Sequence, residues 1–209
     1  FSKSRCLFGL DKARDAIVAG RRVLVTEGYT DTIMCHQMGI TWAVATLGTA
    51  LTRDHVALLR RYADTVLLLF DADRAGEAAV DRSLEVFANS DLVVRVPSIE
   101  KGSDPCDFLL AHGAEAFLER LDGAAELYDV KLEMAASRHD LATADGRAKA
   151  VDESLEALAA MNNVAKADLL TEKVAKRFGL DRGAVRARLA TLRKKARRNR
   201  STGSSQTTI

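Results

Sequence analysis

Residues 65–76, TVLLLFDADRAG, constrain the fold more than any other stretch of the chain. Residues 65–70 are apolar or β-branched without alternation, which predicts a strand covered on both faces rather than one with a wet side. Two carboxylates, Asp71 and Asp73, follow at once, and then small residues able to open a helix. In an open α/β sheet the carboxyl ends of the strands border a crevice where ligands sit, so acids placed there face that crevice. A pair of acids in such a place points to a cation.

Residues 22–28, RVLVTEG, repeat the pattern: a buried strand ending in a carboxylate, Glu27, with a glycine to turn into the next helix. Residues 41–47 and 91–96 read as two further strands. Helices are predicted over 30–38, from a Thr52 cap to residue 62, and over 74–87. An earlier helix ends at Gly20, with Asp11 as its N-cap. Strand and helix alternate four times through short connections, so the expected architecture is α/β, a parallel sheet with helices on both faces. Residues 98–107, SIEKGSDPCD, form the loop past the fourth strand and carry Asp104 and Asp107.

Beyond residue 123 no strand is predicted. Residues 124–138, 146–161, 164–178 and 182–198 are helical and rich in Ala and Leu, with Thr143 and Asp181 placed to cap. They suggest a small all-helical subdomain. The expected division is 1–20, the end of a basic N-terminal subdomain and linker helix; 21–122, the catalytic α/β domain; 123–198, a helical bundle; and 199–209, a disordered tail.

Composition narrows the class. No apolar run approaches the ~20 residues that cross a bilayer, and no signal-peptide pattern opens the chain, so no membrane partner is expected. Three widely spaced cysteines without a CxxC argue against a disulfide framework and against structural zinc, and a cytoplasmic protein is expected. With no initiating Met, the chain reads as a fragment of something longer. Net charge is only +2, but residues 182–209 hold nine Arg or Lys and no acid, leaving −7 on the preceding 181 residues. A cationic end on an acidic body suits a polyanionic partner, and equally a solvated linker.

Glu27, Asp71 and Asp73 end two strands of one parallel sheet and should share its rim. Their mutual repulsion is relieved by a divalent cation; magnesium suits oxygen donors and shares its waters with substrate phosphates. Asp104 could complete a second metal position in a two-ion arrangement. Alone, Asp73 could be merely an N-cap and Glu27 a solvated turn residue. The conjunction on two strands is harder to explain that way. A DxD motif after a buried strand also occurs in haloacid-dehalogenase-like phosphatases and in receiver domains. The phosphatases carry it on their first strand, whereas here a βαβα unit ending its own first strand in Glu comes before it.

Glu-Gly on the first strand and Asp-x-Asp on the third resemble the Toprim domain of primases, topoisomerases and related nucleases. The stretch 25–87, with EGYTD, ATLGTALT and FDADRAGEAA, is similar to bacterial replicative DNA primases of the DnaG type. FSKSRCLFGLDKAR, KGSDPCDFL and VAKRFGLDRGAVRARL extend the resemblance over nearly the whole chain. It implies template-directed synthesis of short RNA primers from ribonucleoside triphosphates on single-stranded DNA. It also implies Glu27, Asp71 and Asp73 as catalytic metal-binding acids, Asp104 as a further ligand, and Lys3 near the incoming nucleotide. Mg²⁺ is the implied cofactor, with Mn²⁺ able to substitute; zinc is not expected in this fragment. Where the family reads Asp-Pro-Asp this chain has Cys106, so Asp107 is a ligand only if the loop shifts by one residue. A replicative helicase is the expected partner, through a C-terminal domain missing here, and the fragment is expected to be a monomer at the replication fork. The rival readings are a Toprim nuclease and a non-catalytic fragment that binds nucleic acid or a replication partner. The sequence over 170–192 also imitates a helix-turn-helix with Arg182, Arg186 and Arg188 on its second helix; two packed bundle helices give the same pattern and are favoured.

Overall fold

Strands apolar on both faces need helices above and below them. The computed structural model, which describes residues 3–70, 74–100 and 102–203, supplies them. Four parallel strands, β1 (Arg22–Thr26), β2 (Ala43–Ala45), β3 (Thr65–Leu68) and β4 (Val93–Val96), lie in the order β2-β1-β3-β4. The sheet order reverses at β1, because the chain first steps to β2 on one side and then to β3 on the other. Right-handed crossovers therefore put α2 (Tyr29–Gln37) on one face, and α3 (Arg53–Leu59) and α4 (Arg74–Phe87) on the other. In agreement, α3 packs on α4, and α5 (Pro105–Asp122) packs on α2. The central strands β1 and β3 are buried at Val23, Leu24, Val25, Val66, Leu67 and Leu68. Each such side chain contributes about 1.5–3 kcal/mol relative to exposure.

Several local expectations are corrected. Helix α1 (Leu10–Gly20) starts after Gly9, whose φ of 77° closes the preceding turn, so Asp11 lies in the first turn and is not the cap. A fifth strand, β5 (Ala125–Glu126), pairs antiparallel with β4 at the sheet edge. Two residues carry no periodicity, which is why no strand was legible after residue 123. Thr52 does cap α3, and the cap is reciprocal: its hydroxyl accepts the His55 N–H at 3.2 Å, and its own N–H donates to His55 Nδ1 at 3.3 Å. That bond leaves Nε2 of the fully buried His55 to donate to the Lys3 carbonyl at 3.0 Å. Thr52 Oγ1 also donates to the Ser4 carbonyl at 2.6 Å, and Phe8 pairs antiparallel with Ala45.

The described chain divides into two compact units, Phe1–Val130 and Lys131–Ile209. Helix α6 (Leu127–Arg138) runs through the boundary. In the second unit α7 (Ala144–Ala159), α8 (Val164–Phe178) and α9 (Arg182–Gly203) pack on one another. Thr143, Asn163 and Asp181 each accept a backbone N–H from the first helical turn. Helix α9 runs to Gly203, into the stretch 199–209 read as a disordered tail. Arg182 and Arg186 both donate to Asp168 of α8 at 2.6 Å, and Arg188 pairs with Asp152 of α7. Those arginines are engaged in helix-to-helix ion pairs, which favours the bundle over a groove-reading helix.

The same unit contains a charge cluster that is poorly hydrated. Glu153 accepts from Lys131 at 2.7 Å, from Arg138 at 2.6 Å and from His139 at 2.9 Å, and the Lys131 side chain is only 5% exposed. Burial pushes the Glu153 carboxyl up. Hydrogen bonds from Lys131 and His139, the Lys131 charge and the Arg138 bond outweigh this and hold it at about 2.

Candidate active site

Strand β1 is locked between β2 and β3 and must end where its pairing ends. The β1–β3 register matches Val25 with Leu68, and the Leu69 N–H donates to the Val25 carbonyl at 3.0 Å. Continued by two residues, that register sets Glu27 level with Phe70. Glu27 therefore occupies the carboxyl rim of the sheet beside the end of β3, and its side chain is exposed. Directly beneath it the buried Thr26 hydroxyl lies 2.8 Å from the Thr32 hydroxyl and 3.0 Å from the Gly28 carbonyl. The turn is thus pinned on both sides of Glu27. Gly28 begins α2 with φ −96°, a conformation open to any residue, so the requirement for glycine there is space. A Cβ at this position would stand 2.7 Å from Asp31 Oδ2.

The rim opens into a cleft of about 260 Å³ lined by Glu27, Thr46, Gly48, Thr49, Phe70 and Arg82, among others. Its loop wall is bent sharply. Leu47 has φ 62° and Gly48 φ 70°, and the Thr49 hydroxyl closes the turn on the Thr46 carbonyl at 2.9 Å. A left-handed leucine costs on the order of 1–2 kcal/mol, and such strain persists where the surroundings over-determine the backbone, often at sites of function.

Asp71 and Asp73 lie outside the described residues. Asp104 is the N-cap of α5, and its Oδ1 accepts the Asp107 N–H at 2.7 Å. Asp107 is accordingly the third residue of a helix, not part of a free loop, and both carboxylates are exposed. One Asp104 oxygen remains available to a cation. Cys106 stands between them; its thiol is pushed up by burial first and then by Asp104, Asp31 and Asp107. Asp31 lies on α2, the helix against which α5 packs. The Cys35 thiol, buried beneath, is raised to about 12, chiefly by burial and secondarily by Asp31.

Asp31 is a candidate site residue that the sequence reading passes over. It is only 8% exposed, and a buried carboxylate four positions after Glu27 puts both on the same end of α2. The one available signal was the final acid of EGYTD. Lys3 lies in a short 3-10 helix, Lys3–Arg5, and is exposed; its main chain is held by His55. Neither Lys3, Asp104 nor Asp107 lines the cleft that Glu27 enters. Among the described residues no group of three or more His, Cys, Asp or Glu is set to hold a metal ion. Glu27 offers oxygen donors of the kind a hard divalent cation prefers, and the sequence carries two further carboxylates, Asp71 and Asp73, directly after Phe70. No helix among the described residues is long and apolar enough to cross a membrane.

Two family models match the chain: a Toprim-like model over residues 24–109, and one described as the DnaB-helicase binding domain of primase over residues 128–183. The second match falls on α6 to α9, whereas the sequence reading assigns helicase contact to a region beyond residue 209. The DNA primase of Deinococcus radiodurans is 40% identical over 144 residues, covering 68% of this chain and 25% of that protein. A DNA primase domain from Pseudomonas aeruginosa matches with a TM-score of 0.82 at 30% identity, over 93% of this chain and 60% of that one. A DnaG primase catalytic domain bound to ssDNA matches with a TM-score of 0.79 at 32% identity, over 88% and 59%. The chain spans about a quarter of the length of the curated relatives it matches.

Proposed function

Since the chain belongs to the bacterial DnaG-type DNA primases, we propose that it is the part of such an enzyme that carries nucleotidyl transfer, joining ribonucleoside triphosphates into RNA primers on a single-stranded DNA template. One observation carries the reading: Glu27 stands on the carboxyl rim of the sheet, level with the residue that precedes Asp71 and beside an open cleft.

In this reading Glu27, Asp71 and Asp73 are the oxygen donors for divalent metal, with Asp104 and, through its helical position, Asp107 as further acids. Bound there, magnesium or manganese supplies the charge that acidifies the primer 3′ hydroxyl and offsets the leaving pyrophosphate. The chain's own part is positioning. Gly28 lets the backbone pass close to the Asp31 carboxylate, the Thr26 hydroxyl holds the Glu27 turn, and Lys3 offers positive charge to the triphosphate. No side-chain nucleophile is called for, and the raised thiols of Cys35 and Cys106 suit none. Residues 128–183 are the proposed contact for a replicative helicase.

The test is extension of a primed single-stranded template with ribonucleotides in Mg²⁺ or Mn²⁺. Glu27→Gln and Asp71→Asn are each expected to lower incorporation by at least ~10²-fold. The melting temperature of Glu27→Gln should stay within about 2 °C, because an exposed carboxylate is removed. Strand cleavage without extension would identify a nuclease, and undiminished extension by Glu27→Gln would refute the assignment.

A further inference from the structure

The cleft beside Glu27 contains a second charge. Among its described lining residues the charged side chains are Glu27 and Arg82, the latter from the middle of α4; the remaining wall is apolar or bears the hydroxyls of Thr26, Thr46, Thr49 and Ser83. Arg82 is exposed, and it makes no ion pair or hydrogen bond among the described residues. Some arginines of this unit pair with carboxylates, Arg21 with Asp64, Arg22 with Asp122 and Arg60 with Asp91; of those that do not among the described residues, Arg53, Arg61, Arg82, Arg95 and Arg120, it is Arg82 that lines the cleft. A guanidinium with no carboxylate partner among the described residues, lining a cleft rimmed with hydroxyls and a tightly turned backbone, matches the forked geometry and charge of a phosphate.

We propose that Arg82 is a phosphate-contact residue of this cleft, taking oxygens of a phosphate brought by a nucleotide or a nucleic-acid strand. The proposal rests on the metal-dependent transfer reading above and adds to it the group that grips phosphate from the helix side of the cleft. Glu27 then serves the cation and Arg82 the anion, so both charges of a metal-bound phosphate are met within one cleft, from the end of β1 and from α4.

The test titrates the 209-residue chain in Mn²⁺ with inorganic tripolyphosphate, with ATP and with a short oligodeoxythymidylate. Arg82→Gln is expected to weaken binding of at least one probe about tenfold, with the melting temperature within about 2 °C of the parent. Arg82→Met, which keeps the aliphatic stem, replaces it should Arg82→Gln fail to fold. Weakening of tripolyphosphate and ATP assigns the contact to the triphosphate tail, and weakening of the oligonucleotide alone assigns it to the strand; both sustain the proposal. Equal affinities of parent and variant for all three probes overturn it, as does a parent that binds none. Glu27→Gln, run beside it, separates the two readings. If that variant keeps full metal-dependent binding while Arg82→Gln loses it, the metal reading falls and Arg82 stands; the reverse result removes Arg82 alone.

Discussion

Replacing Glu153 by Gln removes the negative charge shared by Lys131, Arg138 and His139 and one of its two acceptor oxygens, and the cost can be worked from the structure. The gap between an ordinary glutamate at 4.5 and about 2 in the folded unit corresponds to about 3 kcal/mol. The Glu153 side chain is 20% exposed and Lys131 only 5%, so water screens the contact little. An independent estimate agrees: breaking a buried ion pair from one side costs roughly 3–5 kcal/mol. For a unit the size of residues 131–209, a loss of about 3 kcal/mol lowers its thermal midpoint by roughly 12–24 °C. Differential scanning calorimetry at pH 7 reads it directly. Because the folded carboxyl lies below its ordinary value, its stabilisation is complete above about pH 5 and is lost as pH falls toward about 2. The difference between parent and variant should therefore shrink over that acid window. Adding Lys131→Met and Glu153→Leu together should recover much of the loss, since a matched apolar pair has no charge to desolvate, while the more exposed Arg138 can turn to water. A midpoint lowered by less than about 3 °C at pH 7, or a difference that grows on acidification, would refute the reasoning.

Two further substitutions probe the first unit. Gly28→Ala keeps an acceptable backbone but must displace the Asp31 carboxylate, the movable end of a short side chain; a melting change of no more than about 3 °C with at least a tenfold loss of primer extension is expected, and unaltered extension would mean that Asp31 is not needed where it sits. Thr52→Ala removes both the α3 cap and the bond to the Ser4 carbonyl, so urea denaturation should show about 1–2 kcal/mol of lost stability, largely restored in Thr52→Ser; a loss under about 0.3 kcal/mol would count against the cap.

The sheet was legible because its signals are local and redundant. Unbroken apolar runs at residues 23–25 and 66–70 specify buried strands, and each is followed within two residues by an acid. The Thr52 and Asp181 caps were equally plain, since a hydroxyl or carboxylate before a periodic run leaves little else for the first-turn N–H groups to find. Other features depend on long-range contacts. Nothing near Asp11 says that Gly9 will take a left-handed turn and start the helix earlier, because that turn is held against β2 by Phe8 and Ala45. Asp104 in a loop and Asp104 as an N-cap look alike until Pro105 is seen to begin a helix. Asp31 is identical on paper to any first-turn acid of a helix; its burial arises from the packing of α5 on α2. At the site itself Glu27 could be placed from its strand alone, and Arg82 could not, because its relation to the cleft exists only once α4 has folded back against β3.

The pairing of Phe8 with Ala45 bears on how the first unit guards the edge of its sheet. Strand β2 lies at the border of the sheet, and an uncovered border exposes unpaired main-chain groups that another copy can adopt. Phe8 satisfies both the N–H and the carbonyl of Ala45, so the segment ahead of α1 works as a selvedge that keeps the fabric from fraying or catching on its neighbours. The same segment carries Lys3, so on the proposed reading the charge this lysine would offer a triphosphate comes from a strip already sewn to the sheet.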